Sequence, residues 1–529
     1  MNILRFPDDI KIQTDASPFR FEEPGVANPT DARVECSVSD GVLRVTLLPS
    51  GDAVRFLRLR FRGDMSQVRQ VLGDAFQRVR SVDARWHVLI PHESMPWYFY
   101  AWDGEHLDCY GVKTGAGSFV YWNCDVSGIT LLLDVRCGSD GVRITEPLLC
   151  AEIVTMRSKD GEDPFAAAGR FCSIMCEKPN LPEEPVYGYN NWYWSYGITS
   201  KEAFLREAVQ LGKMTSDLPV RPYMVMDDGW QVVHCRGYHN GGPWFTGNER
   251  FGDMKDVADK TRAAGCKPGI WYRPLRTLLD IPEEAQYKSP AENEKGLCMD
   301  PTHPFTLETV RLDVERFRDW GYGMIKHDFT TIDLLNHSPS IHQAGMHFYR
   351  RDLTSAQALK QLYRTIQDAA GDIVVVGCNT VNHLGAGIHA MQRVGDDTSG
   401  RCFEWTRQCG VHSLMRLPQS GRFGVVDPDC AAFTDKVSHK LNLDFLEASA
   451  ITGCATIASV TPGTLTDAEE TRLHDIFEIA ATVKSGQYAH CDDWMYSFEP
   501  ARFTFRGKQY FYDWYSEHEG ARLIYSWMQ

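Results

Sequence analysis

The sequence contains no long apolar run. Nowhere in its 529 residues does it reach the roughly 18 consecutive apolar side chains that a membrane-spanning helix needs. Its first residues, MNILRFPDDIKIQTDASPF, also lack a basic region followed by an apolar stretch, so we expect no signal peptide. These two absences argue against a transmembrane protein.

The chain also has no excess of positive charge. Its formal net charge is −15, which argues against nucleic acids and anionic membranes as partners. Hydrophobic residues make up 43% and charged residues 24%, which indicates a globular and not a disordered protein. The 14 Trp suit a protein that stacks aromatic rings on sugar faces. The composition therefore fits an acidic enzyme that acts on a neutral ligand, and whether the chain forms a homo-oligomer stays open.

Clusters of metal-binding residues are scarce as well. The 16 Cys are scattered through apparent core positions, so we interpret them as reduced thiols and expect a cytoplasmic protein. His383 and His389 could suggest a metal site, but no third ligand accompanies them at a suitable spacing. We therefore predict no bound metal ion and no cofactor.

The sequence pattern divides the chain into three parts. Residues 1–178 contain short alternating runs such as VLRVTLLP, separated by Gly, Asp, Ser and Pro, which predicts an N-terminal β-sandwich that ends in a linker helix. The Pro- and Glu-rich link EKPNLPEEPVYG indicates a boundary. Residues 185–485 alternate strands with helices. Residues 486–529 return to β alternation, which predicts a small C-terminal β region.

The central part predicts a (β/α)8 barrel. Strand patterns run through YGYNNWYW, RPYMVMDDGW, KPGIWYRP, YGMIKHDF, DIVVVGCN, MQRVGDD, RFGVVDPD and ATIASVT. Helical patterns such as KEAFLREAVQLGKM and FEWTRQCGVHSLM lie between them. Parallel strands covered on both faces read as near-continuous apolar runs, as these do. The predicted fold class is therefore α/β, a TIM barrel flanked by a β-sandwich and a small β domain.

Acidic residues follow four of the predicted barrel strands. They are Asp227 with Asp228, Asp328, Asp396 with Asp397, and Asp427. Because the carboxyl ends of barrel strands open on one face, we expect these side chains to converge on one point. A pocket lined by several carboxylates, in a chain rich in aromatic residues, indicates carbohydrate chemistry.

Two of these acids have a basic residue on the same strand. Lys326 precedes Asp328 by two residues, so strand alternation puts both side chains on one face. A cation beside a carboxylate keeps it ionised, as a nucleophile requires. Asp397 follows Arg393 by four residues, and beside Asp396 it could stay protonated near neutral pH and act as an acid. Two carboxyl groups with divergent environments are what glycoside hydrolysis needs.

A set of longer segments carries a resemblance to a known family. The segments are PYMVMDDGWQ, GNERFGDMKDVADKTRAAGCKPGIWYRP, MDPTHP, IKHDF and GCN followed by GAGIHAMQRVGDDTSG. In order and spacing they resemble the α-galactosidases of glycoside hydrolase family 36, above all the compact bacterial and archaeal members. The resemblance runs from Asn190 to about Asp429, and the three-part layout is also similar to that family.

The resemblance implies a retaining, two-step release of terminal α-linked galactose. Asp328 matches the nucleophile of the family, and Asp397 matches its general acid/base. Trp271, in Pro-Gly-Ile-Trp, matches a Trp of the pocket wall, and Cys378, in Gly-Cys-Asn, matches a Cys near the sugar in some members. The residues that match binders of the galactose hydroxyls are Asp227, Asp228, Lys326 and Arg393.

The chain departs from the family pattern in three places. His327 replaces an apolar or aromatic residue, and we expect its side chain to face away from the pocket. Asp396 stands where an apolar residue or Pro is common, and it can shift the pKa of Asp397. The Gly-rich Cys-Ser-Gly-Gly-Arg segment of the tetrameric members is absent, which argues against a tetramer and against long oligosaccharides. The stretch DLLNHSPSIHQAGMHFYRRD is expected to shape the leaving-group subsite.

Other interpretations stay open. Asp227 and Asp228 could cap a helix, Trp271 could be barrel packing, Cys378 could be a core residue, and Asp427 could support the pocket. The function could instead be that of an α-N-acetylgalactosaminidase, a galactosyltransferase of the same clan, or a sugar-binding relative without catalysis. The presence of both Asp328 and Asp397 argues against the last of these.

Overall fold

The computed structural model describes residues 1–17, 30–79, 84–91, 93–232, 240–291, 296–336, 345–483 and 487–515. The first part of the chain forms two antiparallel sheets. Its strands are β1 (Asp9–Thr14), β2 (Arg33–Ser39), β3 (Val42–Leu48), β4 (Val54–Arg62), β5 (Gln70–Gly73), β6 (Met95–Pro96), β7 (Tyr98–Trp102), β8 (Leu107–Val112), β9 (Phe119–Asp125), β10 (Gly128–Asp134) and β11 (Leu148–Arg157). The strand orders are β1-β4-β10-β9-β6 and β2-β3-β11-β8-β7-β5.

The two sheets pack through their apolar faces. In β10, Ile129, Leu131 and Leu133 are buried, while the residues between them are partly exposed. Phe99 of one sheet meets Trp122 of the other with ring centroids 5.8 Å apart. Each fully buried side chain of this size contributes about 1.5–3 kcal/mol to stability. Helix α1 (Pro164–Met175) then leads out of this part.

The central part contains the strands of a barrel and one small extra sheet. Its strands are β12 (Tyr187–Asn190), β13 (Tyr223–Met226), β14 (Lys267–Tyr272), β15 (Arg276–Thr277), β16 (Gln286–Tyr287), β17 (Leu297–Met299), β18 (Met324–His327), β19 (Val374–Gly377), β20 (Met391–Arg393), β21 (Val425–Asp427), β22 (Ala431–Phe433) and β23 (Thr456–Val460). Nine of them form a parallel sheet in the order β21-β20-β19-β18-β14-β13-β12-β23-β22, and β15, β17 and β16 form the small sheet.

The parallel sheet closes on itself. Ala455, just before β23, donates its N–H to the carbonyl of Val426 in β21 across 2.9 Å. Strands β21 and β22 are two pieces of one barrel strand, interrupted at Asp429, whose φ is 77°. The first piece pairs with β20 and the second with β23. The sheet therefore has the strand positions of a (β/α)8 barrel, and the predicted fold class is confirmed.

Helices follow the strands. They are α2 (Trp192–Ser195), α3 (Lys201–Met214), α4 (Met254–Ala263), α5 (Pro304–Asp319), α6 (Thr330–Leu335), α7 (Ser355–Ala370), α8 (Asn382–Gly385), α9 (Phe403–Trp405), α10 (His439–Ile451) and α11 (Asp467–Thr482), with 3-10 turns at Glu283–Ala285 and Leu414–Gln419. Helix α11 begins with a capping box, in which the side chains of Thr466 and Glu469 each accept a hydrogen bond from the other residue's backbone N–H. Over the described ranges, none of the helices is both long and apolar enough for a membrane crossing.

One predicted helix is irregular. The pattern FEWTRQCGVHSLM forms the short α9, then a π-helix over Thr406–Val411, and then the 3-10 turn that contains Pro418. Proline cannot donate a backbone hydrogen bond, so a regular helix could not continue through that turn. π-helical turns occur frequently at functional sites, and this one follows the loop that carries Asp397.

The last described residues form a small antiparallel sheet. Its strands are β24 (His490–Cys491), β25 (Arg502–Phe505) and β26 (Lys508–Phe511). The rest of the predicted C-terminal β region, 516–529, lies outside the described residues. So do residues 337–344 of the stretch that was expected to shape the leaving-group subsite.

Candidate active site

The carboxyl ends of the barrel strands carry the acidic and basic residues that the sequence singled out. Because the strands are parallel, these ends share one face of the barrel. Asp227 and Asp228 follow β13, Asp328 follows β18, Asp397 follows β20, and Lys326, Trp271, Cys378 and Arg393 lie at the ends of β18, β14, β19 and β20. Direct contacts join side chains from most of these strands.

Asp227 is the centre of a buried hydrogen-bond network. Its Oδ2 accepts from Lys326 Nζ at 2.6 Å and from Asn190 Nδ2 at 2.7 Å. Its backbone N–H donates to Asn191 Oδ1 at 2.8 Å. Lys326 comes from β18 and Asn190 from β12, so the network joins strands on both sides of β13.

Asp228 is held by its own loop. Its Oδ1 accepts from Gln231 Nε2 at 2.6 Å, and its N–H donates to Asp227 Oδ1 at 2.9 Å. Helix α4 has Asp253 as its N-cap, so neither Asp227 nor Asp228 caps that helix. The two carboxylates are therefore polar groups of the barrel mouth.

Asp328 is nearly buried and well supported. Trp271 Nε1 donates to its Oδ2 at 3.0 Å, and the N–H of Phe329 donates to its Oδ1 at 2.8 Å. The largest influence on its pKa is burial, which raises it. The positive charges of Lys326 and Arg78, together with the two hydrogen bonds, outweigh burial, so the pKa of Asp328 lies below its usual value. Asp328 is thus held as a carboxylate.

Asp397 differs from Asp328 in the net direction of its pKa shift. Its Oδ1 accepts from Arg78 Nη1 at 2.7 Å and lies 3.6 Å from Arg393 Nη2, while 56% of the side chain is open to solvent at the mouth. Desolvation by the surrounding protein is the largest influence and raises its pKa. The two Arg lower it, and the nearby Asp429 and Asp396 raise it again. The net result is a pKa above the usual value of an Asp.

Arg393 is fully buried and pairs mainly with acids of the interrupted barrel strand. Its guanidinium forms an ion pair with Asp429 and lies 3.9 Å from Asp427 Oδ2. Asp429 also accepts the hydroxyl hydrogen of Tyr193. Arg393 Nη1 donates to Cys378 Sγ at 3.6 Å. Asp427 thus lies beside Arg393, while Cys378 is 1% exposed and burial raises the pKa of its thiol well above the usual value.

Trp271 combines packing with hydrogen bonding. Its ring is 1% exposed and packs against Trp244 and Phe329, with centroids 5.8 Å and 6.1 Å apart. Its indole N–H reaches Asp328. The packing interpretation is therefore right for the ring, but the N–H has a polar role as well.

His327 faces the helix layer and not the mouth. Its ring lies 5.6 Å from that of Tyr363 in α7 and 5.6 Å from that of His389. Its Nε2 is hydrogen-bonded to the Thr330 hydroxyl. Burial lowers its pKa to about 3, so it is neutral at physiological pH.

Histidines 383 and 389 are core residues. His383 packs against Phe76 with ring centroids 6.0 Å apart, and His389 packs against Tyr363 at 5.0 Å. Burial lowers the pKa of His383 to about 3. Across the described part of the chain, no three His, Cys, Asp or Glu side chains are grouped to hold a metal ion.

Sequence reasoning missed four contributors to the site. Asn190 ends β12 and Tyr193 follows it in YGYNNWYW. The polar pair Asn190-Asn191 at the end of a predicted strand could have indicated the first of them. Asp429 is the second acid of the strand pattern RFGVVDPD, in which only the first acid, Asp427, is considered above as a pocket residue. Arg78 had no local signal, because it lies in the N-terminal part, 319 residues from Asp397.

The sequence matches no protein-family model and no curated protein. Solved structures share the fold. The α-galactosidase of Thermus thermophilus, solved with p-nitrophenyl α-D-galactopyranoside, is 16% identical with a TM-score of 0.61, over 92% of this chain and 96% of that chain. The family 36 α-galactosidase of Geobacillus stearothermophilus is 12% identical with a TM-score of 0.60, over 90% of this chain and 71% of that one. The α-galactosidase of Lactobacillus brevis is 12% identical with a TM-score of 0.59, over 85% of this chain and 65% of that one. The chain therefore has the fold of the family 36 α-galactosidases.

Proposed function

We propose that the chain is a retaining glycoside hydrolase that releases terminal α-linked galactose. One observation carries the proposal: Asp328 and Asp397 follow two barrel strands that open on one mouth, and a hydrogen-bond donor holds each carboxyl group. Their surroundings displace the two pKa values in opposite directions, that of Asp328 downward and that of Asp397 upward. Double displacement needs one ionised and one protonated carboxyl group at the start of the reaction. The similar structures include α-galactosidases solved with p-nitrophenyl α-D-galactopyranoside and with stachyose, which supports galactose as the sugar.

In the first step, an Asp328 oxygen attacks the anomeric carbon and forms a glycosyl ester. The bond to the leaving-group oxygen breaks, its electron pair stays on that oxygen, and Asp397 transfers its proton there. In the second step, Asp397 as a carboxylate takes a proton from water, the water oxygen attacks the anomeric carbon, and Asp328 leaves as a carboxylate. This route requires the two carboxyl groups about 5–5.5 Å apart across the sugar.

The remaining site residues are proposed to hold the sugar. Asp227 and Asp228 are acceptors, and Lys326 is a donor, for hydroxyls remote from the anomeric carbon. Arg393 would act near the hydroxyl beside the anomeric carbon. Trp271 would orient Asp328, and Cys378 would close the pocket wall beneath the sugar.

We also propose that the three parts of the chain are separate domains. The proposed domains are a β-sandwich with its linker helix over 1–178, a catalytic barrel over 185–485 and a small β region over 486–529. We propose that the enzyme works without a metal ion or another cofactor, on a small carbohydrate.

A panel of p-nitrophenyl glycosides tests the proposal. The wild-type protein should hydrolyse the α-galactoside faster than the α-N-acetylgalactosaminide, the α-glucoside and the β-galactoside. Asp328→Ala should abolish this activity, whereas Asp259→Ala, which removes an exposed carboxylate from the outer face of α4, should keep it. Proton NMR of the first product should show α-galactose, as retention requires.

Other outcomes would select other functions. Preference for the α-N-acetylgalactosaminide would make the protein an N-acetylgalactosaminidase. Transfer of galactose to an added sugar in preference to water would make it a transferase. Calorimetric binding of galactose without turnover of any glycoside would make it a sugar-binding protein.

A further inference from the structure

A short segment of the N-terminal part lies in the barrel mouth. We call residues 74–79 the insert. Its Val79 forms a parallel bridge with Gly395: the Val79 N–H donates to the Val394 carbonyl at 2.8 Å, and the Asp396 N–H donates to the Val79 carbonyl at 2.9 Å. The insert therefore runs beside the loop that carries Asp396 and Asp397.

Buried polar contacts fix the insert in place. Arg416 pairs with Asp74 at 2.7 Å, with both side chains 1% exposed. Arg416 Nη1 also donates to the Gln77 carbonyl at 2.9 Å, and Asn382 Nδ2 donates to the same carbonyl at 2.8 Å. The Asn379 amide donates to Gln77 Oε1 at 2.8 Å. A segment held by so many buried partners presents its side chains at defined positions.

Arg78 is the residue that the insert brings to the site. Its side chain is 10% exposed and contacts both acids of the pair. Nη1 donates to Asp397 Oδ1 at 2.7 Å, and Nη2 lies 3.2 Å from Asp396 Oδ1. Asp396 Oδ1 also accepts the N–H of Asp397 at 2.9 Å. Asp396, an unusual residue at this place in the sequence pattern, thus has a cation to pair with.

We propose that Arg78 is a positioning residue that holds and orients the acid/base Asp397, with Asp396 as its fixed counter-ion. The inference rests on the proposed function, which gives Asp397 its role. Both Arg78 and Arg393 contact Oδ1 of Asp397. The other carboxyl oxygen, Oδ2, is then the one that can meet the leaving group.

The charge balance explains why the pair is needed. An Arg alone would keep Asp397 ionised, and the first step requires its proton. Asp396 compensates that charge, so Arg78 can hold the carboxyl group without fixing it in the ionised state. The titratable and charged groups that face Asp397 are Arg78 from the insert, Arg393 from β20, the adjacent Asp396, Asp429 beyond β21 and Tyr193 beyond β12.

Two variants with opposite effects test the proposal. Arg78→Met removes a cation, so the pKa of Asp397 should rise and the alkaline limb of the kcat/KM profile should move to higher pH, by roughly one unit or more. Asp396→Asn removes an anion, so the same limb should move to lower pH. Arg78→Lys should restore part of the wild-type profile. Arg78→Met should also slow α-galactosides with poor leaving groups more than p-nitrophenyl α-galactoside.

The matched control is Arg55→Met. Arg55 pairs with Asp15 at 2.6 Å in the sandwich, so this variant removes an ion-paired Arg of the same domain outside the site. It should keep the wild-type pH profile. If Arg78→Met also kept the alkaline limb of the wild-type kcat/KM profile and the wild-type dependence on the leaving group, the proposal would be overturned. Should Arg78→Met fail to fold, Arg78→Lys and Asp396→Asn carry the same test.

An infrared titration separates this inference from the proposed function. The carboxyl band of Asp397, taken as wild type minus Asp397→Asn, reports its protonation without turnover. Its midpoint should rise in the Arg78→Met background and fall in the Asp396→Asn background. A midpoint that neither variant moves would overturn the positioning role even if the protein hydrolyses α-galactosides. If the two variants shift the midpoint but the protein hydrolyses no glycoside, the pairing of Arg78 with Asp397 is supported and only the proposed enzymatic function is refuted.

Discussion

Lys326 Nζ forms its ion pair with Asp227, 2.6 Å away across strand β14, although Asp328 lies only two residues further along the chain, just after β18. Its charge nevertheless lowers the pKa of Asp328. A single ammonium group therefore holds the proposed sugar-binding residue Asp227 by direct contact and keeps the proposed nucleophile Asp328 ionised from a longer distance.

Lys326→Met should raise the pKa of Asp328, because it removes the positive charge with the largest effect on that carboxylate. The nucleophile must be ionised, so the acidic limb of the kcat/KM profile should move to higher pH. The measurement is the pH–rate profile with p-nitrophenyl α-galactoside. Lys255→Met, at an exposed ion pair on α4, should leave the profile alone. An unmoved acidic limb in Lys326→Met would contradict the prediction.

Asp328→Ala should lower turnover by roughly 10⁴-fold or more, since no group remains to form the covalent intermediate. Added azide can enter the space and attack the same face of the sugar, so it should restore part of the activity and yield the β-galactosyl azide. Chromatography and NMR identify that product. Near wild-type turnover in a folded Asp328→Ala protein would remove Asp328 from the mechanism.

Asp397→Ala should slow substrates with poor leaving groups by about 10²–10⁴-fold. Activated aryl galactosides should lose much less, because their leaving groups need no proton. Comparison of kcat/KM across a series of aryl galactosides and raffinose measures the difference. If Asp396→Ala showed this dependence and Asp397→Ala did not, Asp396 would be the acid/base.

His490 should make the folded protein less stable at alkaline pH than near pH 6. Hydrogen bonds with Asp163 and Asp492 raise its pKa to about 9 in the folded protein, above the usual value of about 6.5 in the unfolded chain. The interaction of protonated His490 with these two carboxylates stabilises the fold fully below about pH 6.5, and this stabilisation is lost as the pH rises through about 9. His490→Gln should therefore lower the melting temperature at about pH 6 more than at about pH 10. Calorimetry at both values checks this, and an equal decrease at each would contradict it.

Much of the barrel could be predicted because its signals are local. Helix α3 spans Lys201–Met214, the limits of the pattern KEAFLREAVQLGKM, and Ser200 caps its start. Strand β19 is the apolar run Val374–Gly377. Such runs and caps depend on neighbours within a few residues, which the sequence displays directly.

The parts that could not be predicted depend on contacts distant in sequence. Arg78 has no periodicity or motif that associates it with Asp397, which lies 319 residues further along the chain. The break between β21 and β22 depends on the left-handed backbone of Asp429, a conformation that is uncommon for residues other than Gly. Arg393 illustrates the same limit: its place in the chain suggested Asp397 as its neighbour, and the fold gives it Asp429 as its main partner.

The bridge between Val79 and Gly395 has a consequence for biosynthesis. The sandwich is synthesised before the barrel, but the bridge of its insert to Gly395 and the contacts of the insert with Arg416 can form only when residues 394–416 have been made. A nascent chain that stops before β20 would lack Asp396 and Asp397, the two acids that pair with Arg78. The mouth of the barrel is thus completed by two segments that are translated far apart in time, and activity would appear only after the whole central part has been synthesised.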